Sequence, residues 1–199
     1  YYDPEAYARS IPPLFEHLRG QLGDDVQLLH DVHERLDPPA ALRLAKALEP
    51  YDLFFLEDLL PPEQYPWLRQ VRAQCTTPLA LGELFNHPLE WRQLIQERLI
   101  DYIRVHVSQI GGITPARKLA AFCEAYGVRT AWHGPPDCSP VGHAANLHLD
   151  LSTPAFGIQE WGNAPEPVRE VFDGCPEPVD GRVAPSPRPG LGIDIDETL

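Results

Sequence analysis

The sequence has 199 residues, with 16 Lys and Arg against 29 Asp and Glu, a formal net charge of −13. So acidic a chain repels phosphate backbones and anionic bilayers, which excludes a general nucleic-acid or membrane-surface binder. Hydrophobic residues make up 43% and charged residues 23%, an ordinary globular composition. No apolar run approaches the roughly 20 residues that span a bilayer. Asp3, Glu5, Arg9, Pro12 and Pro13 leave no apolar core for a signal peptide, so a cytoplasmic protein is expected.

Short apolar, β-branched or aromatic runs recur, each followed by a turn and a stretch with helical spacing, as in βα units on a parallel sheet. The strand candidates in chain order are Val26–Asp31, Leu53–Leu56, Leu79–Gly82, Tyr102–Val105, Arg129–Trp132 and Phe156–Gln159. Between them lie amphipathic stretches such as Pro39–Leu48 and Pro115–Tyr126, with a first-turn proline in each and Gly127 placed to end the second. Residues 161–199 form a Pro-rich tail without periodicity, ending in Gly190-Leu-Gly-Ile-Asp-Ile-Asp196, which can pair as an edge strand or pack against another domain. Cys75, Cys123, Cys138 and Cys175 form no metal-type pair and read as reduced thiols. The chain contains no methionine, initiator included, which predicts an internal fragment.

An ionisable residue follows each strand candidate: Asp31, Glu57, Glu83, Arg104, His133 and Glu160, at intervals of 26, 26, 21, 29 and 27. A strand with its crossover helix takes about 25 to 30 residues, so these are equivalent positions at successive strand ends, which in a (β/α) barrel share one mouth. Three convergent carboxylates repel one another unless a cation lies among them, and hard oxygen ligands favour Mg2+ over zinc. Each of the three, taken singly, also fits a cap or salt bridge.

His33 lies two residues beyond Asp31, so a continuing strand would put both side chains on one face, with the imidazole placed for acid/base work; His30 points away and reads as structural. Arg104 and His133 offer groups for a substrate carboxylate or hydroxyls, although Arg104 also fits a buried ion pair. Asp137, in the loop after His133, fits a substrate contact or a helix start. His17, His87, His106, His143 and His148 have no partner in phase.

The blocks LLHDVHERL, EPYDLFFLED, TPLALGELFN, LIDYIRV, GGITPARKLAAF, WHGPPDCSPVG, FGIQEW and PGLGIDIDE, in this order, resemble the enolase superfamily and, within it, the mannonate dehydratase family of sugar-acid dehydratases. The resemblance covers nearly all of residues 7–160. It implies part of a (β/α)7β barrel, about six C-terminal βα units in residues 1–160, with the capping domain, the first strands and the proton-abstracting base outside this chain. It further implies Asp31, Glu57 and Glu83 as Mg2+ ligands, His33 as catalytic acid/base, and Arg104, His133, Asp137 and Glu160 as substrate contacts. The implied reaction converts D-mannonate to a 2-keto-3-deoxy sugar acid through an enediolate, in a homo-oligomeric enzyme. A gluconate-type dehydratase or acid-sugar racemase shares the metal and the enediolate; a non-catalytic binder of metal and sugar acid is the reading from another class.

Overall fold

The computed structural model describes residues 2–199. They cluster into two compact units, one of residues 2–81 with Gln93–Tyr102, the other of Gly82–Arg92 with Ile103–Leu199.

The first unit opens on helix α1 (Pro4–Leu22), which Asp3 starts by accepting from the backbone N–H groups of Glu5 and Ala6 at 3.0 and 3.1 Å. Pro12 and Pro13 interrupt the α1 hydrogen-bond ladder. Ile11 and Phe15, one turn apart, compensate by burying one face. At its C-terminal end Arg19 donates to four carbonyls, those of Tyr51 (2.8 Å), Gly23 (3.1 Å), Val26 (2.6 Å) and Asp52 (3.0 Å). With its carbonyl held by Arg19 and its side chain exposed, Val26 cannot begin a strand. The first strand is therefore shorter than expected, β1 (Leu29–Asp31).

Strand β1 pairs in parallel with β2 (Phe55–Glu57), and β2 with β3 (Leu79–Leu81). Both β2 and β3 are wholly buried apolar runs apart from Glu57, as strands covered on both faces must be. Between β1 and β2 lies α2 (Pro38–Leu48), where Asp37 accepts from Ala40 N at 2.8 Å and Ala41, Leu44, Ala45 and Leu48 form the buried stripe. A short α3 (Leu68–Arg72) precedes β3. Helix α4 (Pro88–Gln96) and strand β4 (Tyr102–Ile103) have residues in both units. Asp101 ties the start of β4 to β3: its N–H donates to Leu79 O and its carboxylate accepts from Leu79 N, both at 2.8 Å, while Arg72 pairs with that carboxylate.

In the second unit, β4 continues into a ladder with β5 (Arg129–Thr130), where Ala131 N donates to Ile103 O at 3.0 Å and His133 N to Val105 O at 3.1 Å. Helix α5 (Ile113–Tyr126) ends at Gly127, whose φ of 71° is the left-handed cap that glycine adopts without penalty. The strand expected at Phe156–Gln159 reduces to one parallel bridge, Thr130 to Phe156, because the chain then bends so that Gln159 Nε2 donates to Trp132 O at 3.1 Å. The C-terminal segment is more ordered than its composition suggests. It contains α7 (Glu166–Val171) and an antiparallel pair, β6 (Phe172–Asp173) with β7 (Asp194–Ile195), so the alternating end does pair as an edge strand. No helix among the described residues is long and apolar enough to cross a membrane.

Helix α6 (Pro140–Leu151) buries His143, Asn146 and Asp150 alongside its apolar residues. The Asp150 carboxylate has no hydrogen-bond partner within bonding distance among the described residues, and burial pushes its pKa up to about 8, with the nearby Trp132 indole only partly opposing this. A raised carboxyl leaves its stability contribution intact below its ordinary value of 3.8 and loses it as pH rises through about 8. Asp150→Asn is therefore expected to flatten the fall of melting temperature between pH 4 and 8, as thermal unfolding across that range would record.

Candidate functional site

The site residues divide between the two units. In the first, the parallel register sets Asp31 opposite Glu57, so both carboxylates leave neighbouring strand ends on one side of the sheet. Beyond them the backbones stay bonded, with Val32 N donating to Glu57 O at 3.0 Å and Glu34 N to Asp58 O at 2.8 Å. The strand does not persist to His33 as expected. His33 and Glu34 take positive φ values of 52° and 60°, which turn the chain at once. The turn nevertheless brings the pair together: His33 N donates to Asp31 Oδ1 at 2.7 Å, and His33 Nδ1 lies 3.0 Å from Asp31 Oδ2.

Asp58, which sequence reasoning passed over, is buried and brings a carboxylate oxygen into a cluster with Asp31 and His33 whose ligand atoms all lie within 4.8 Å. Its signal was present as the second acid of LED, but strand alternation points it away from Glu57. Its φ of 39° breaks that alternation. His30 Nε2 lies 2.9 Å from the Tyr7 hydroxyl, and burial lowers its pKa.

The second unit holds Glu83, Arg104, His133, Asp137 and Glu160. Gly82, at φ 135°, delivers Glu83; a Cβ there would meet Phe85 Cδ2 at 2.9 Å and Arg104 N at 3.2 Å. His133 Nε2 lies 3.2 Å from Glu83 Oε2 and 3.9 Å from Glu160 Oε2. Its Nδ1 is buried without a hydrogen-bond partner among the described residues. Glu160 Oε2 accepts from Arg104 Nη2 and from Gly134 N, each at 2.8 Å, while Arg104 Nη1 donates to Ala131 O at 3.2 Å. Arg104 forms an ion pair with Glu160, and its side chain is only 4% exposed.

Asp137 is exposed and takes no part in these hydrogen bonds. It does not start α6 either, because Ser139 caps that helix by accepting from Gly142 N at 3.1 Å. His106, read from sequence as having no partner in phase, has its ring 5.7 Å from that of His133, edge-on at 71°. The signal that finds it is the argument applied to His33: His106 follows Arg104 by two residues on the same extended segment.

In the first unit the registered pair Asp31 and Glu57 offers hard carboxylate oxygen, which fits Mg2+, and concentrates negative charge that a cation relieves.

A family model described as enolase C-terminal domain-like matches residues 11–199. A D-galactonate dehydratase family member from Musicola paradisiaca is 60% identical over 100% of this chain and 48% of its own length. Another, RspA from Pantoea ananatis, is 59% identical with the same coverage of 100% and 48%. The crystal structure of an enolase from Pantoea ananatis with bound D-gluconate and Mg is 59% identical, with a TM-score of 0.97 over 100% of this chain and 48% of that one. A mandelate racemase/muconate lactonizing enzyme from Jannaschia sp. CCS1 is 30% identical, with a TM-score of 0.84 over 98% of this chain and 48% of that one. The chain spans about half the length of the curated relatives it matches. The superfamily and α/β barrel-type fold expected from the sequence are thereby shown, whereas the finer placement among mannonate dehydratases finds no support in these relatives.

The loop carrying His133 is held by close backbone packing. A Cβ on Gly134 would run into Glu160 O, and one on Gly162 into Pro136 N. Both contacts are with backbone and cannot swing aside. Gly134→Ala is expected to cost about 1 to 3 kcal/mol through overpacking, read as a lower denaturation midpoint, and to displace His133 from Glu160 in a crystal structure of the variant.

Proposed function

Because the chain belongs to the enolase C-terminal domain-like family, we propose that it forms the catalytic barrel portion of a Mg2+-dependent sugar-acid dehydratase of gluconate type. The observation that carries the substrate choice is D-gluconate with Mg in a structure 59% identical over the whole of this chain. In this reading Asp31, Glu57 and Glu83 hold the ion. When bound, Mg2+ supplies the positive charge that stabilises the enediolate formed on loss of the proton α to the carboxylate.

His33 is the acid. It protonates the 3-hydroxyl as that group leaves as water, and the resulting enol tautomerises to a 2-keto-3-deoxy acid. Asp31, bonded to both the backbone N–H and the ring of His33, fixes where the imidazole points. Arg104, His133, Asp137 and Glu160 meet the substrate. The contact of Glu160 with both Arg104 and Gly134 N holds its carboxylate in one position, so a sugar hydroxyl finds a prearranged acceptor. No residue of this chain is assigned to the C2 proton.

Two measurements on the full-length protein test this reading. Incubation with D-gluconate and Mg2+ is expected to release a 2-keto-3-deoxy acid, and EDTA or Glu57→Gln to abolish it; a 2-epimer as product would mean racemisation instead. His33→Asn is expected to lower kcat about 10²-fold or more with Mg2+ affinity retained, since a general acid contributes at least that much. Turnover of His33→Asn at the parent rate would remove His33 from the chemistry.

A further inference from the structure

His106 lies among the charged and polar residues of the second unit, yet the reading above leaves it without a role. Its backbone is fixed: the carbonyl accepts from Gln109 N at 3.0 Å and Ile110 N at 3.2 Å, and Val105 O beside it accepts from His133 N at 3.1 Å. Its ring is fixed twice, by Ser108 Oγ at 2.8 Å from Nδ1 and by the edge-on contact with His133. Nε2, by contrast, makes no hydrogen bond to any described residue, and the side chain is only partly buried. A ring held at one nitrogen and on one face, with the other nitrogen open, is built to meet something else.

The surroundings of the ring disfavour its charged form on balance. Burial lowers its pKa most, the neighbouring His133 lowers it further, and Asp137 and Glu160 oppose both. A neutral imidazole has one N–H, and the partner of the other nitrogen selects its place.

We propose that His106 is a further ligand-contacting residue of this site: the Ser108 hydroxyl donates to Nδ1, and Nε2–H donates to a hydroxyl of the sugar-acid chain. This rests on the sugar-acid reading above and adds a specificity contact to it. The contact lies beside His133, itself within 3.9 Å of Glu160, two residues that the same reading places on the substrate.

The amide nitrogen of glutamine reaches where Nε2 of histidine lies, whereas that of asparagine reaches only Nδ1, which separates a contact through Nε2 from mere space-filling. The test is the equilibrium affinity of the full-length protein for D-gluconate with Mg2+, measured in a His33→Asn background so that bound gluconate persists. His106→Ala and His106→Asn are expected to weaken binding about tenfold, the worth of one ligand hydrogen bond. His106→Gln is expected to stay within about threefold of the parent, with Mg2+ affinity and melting temperature unchanged in all of them. Parental affinity in His106→Ala, or equal losses in the Gln and Asn variants, overturns the assignment of His106 alone. Absence of gluconate binding in the parent overturns the sugar-acid reading and this proposal together.

Discussion

The register between β1 and β2 is the constraint on which the first unit's chemistry depends. Parallel pairing of Asp31 with Glu57 places two carboxylates side by side at the ends of strands whose other residues are fixed by packing. A slip of one residue in this pairing would set Asp31 opposite Leu56 or Asp58 and part the two carboxylates, so the packing that fixes the register also fixes the charge placement. Hydrogen bonds continue past the strands, from Val32 N to Glu57 O and from Glu34 N to Asp58 O, and hold the backbone beside the acids. The left-handed conformations of His33, Glu34 and Asp58 each cost roughly 1 kcal/mol for a residue with a Cβ. They cluster where a straight strand would have carried His33 away from the position that Asp31 gives it.

In the second unit a single carboxylate oxygen performs the equivalent task. Glu160 Oε2 meets Arg104, Gly134 N and, more distantly, His133, joining three segments that are far apart in sequence. A guanidinium as enclosed as that of Arg104 is tolerated only when paired and hydrogen-bonded, and Glu160 with the Ala131 carbonyl meets that need. The two glycines that let the 134–136 loop lie against 160–162 act in the same direction, since any side chain at either position would separate these backbones.

A barrel-type scaffold that hosts racemisation, lactonisation and dehydration does not itself choose among them. The choice falls to the few groups that face a substrate, and the residues proposed for that role here include several carboxylates. Among those proposed residues Arg104 and the imidazoles are the groups that can offset the carboxylates, which is the electrostatic argument behind the proposed divalent cation.

The sequence by itself determined the α/β architecture and the identity of the strand-end residues. Apolar runs of strand length and helices with one buried stripe are local properties, and the βα period returns a charged residue to the same strand end each time. It also placed Gly127 and the first-turn prolines, whose backbone preferences need no partner. What it left to the tertiary structure were contacts made by departures from regular geometry. His33 was placed by alternation but is held by a left-handed turn. Asp58 was hidden because alternation points it away, His106 because the ring it packs against, that of His133, lies 27 residues on in the chain. The order of the 161–199 segment came from turns and one antiparallel pair with no hydrophobic period to announce them. Periodicity encodes which face a residue occupies while the element stays regular; once the backbone turns, only the hydrogen bonds and packing of distant segments decide where a side chain ends.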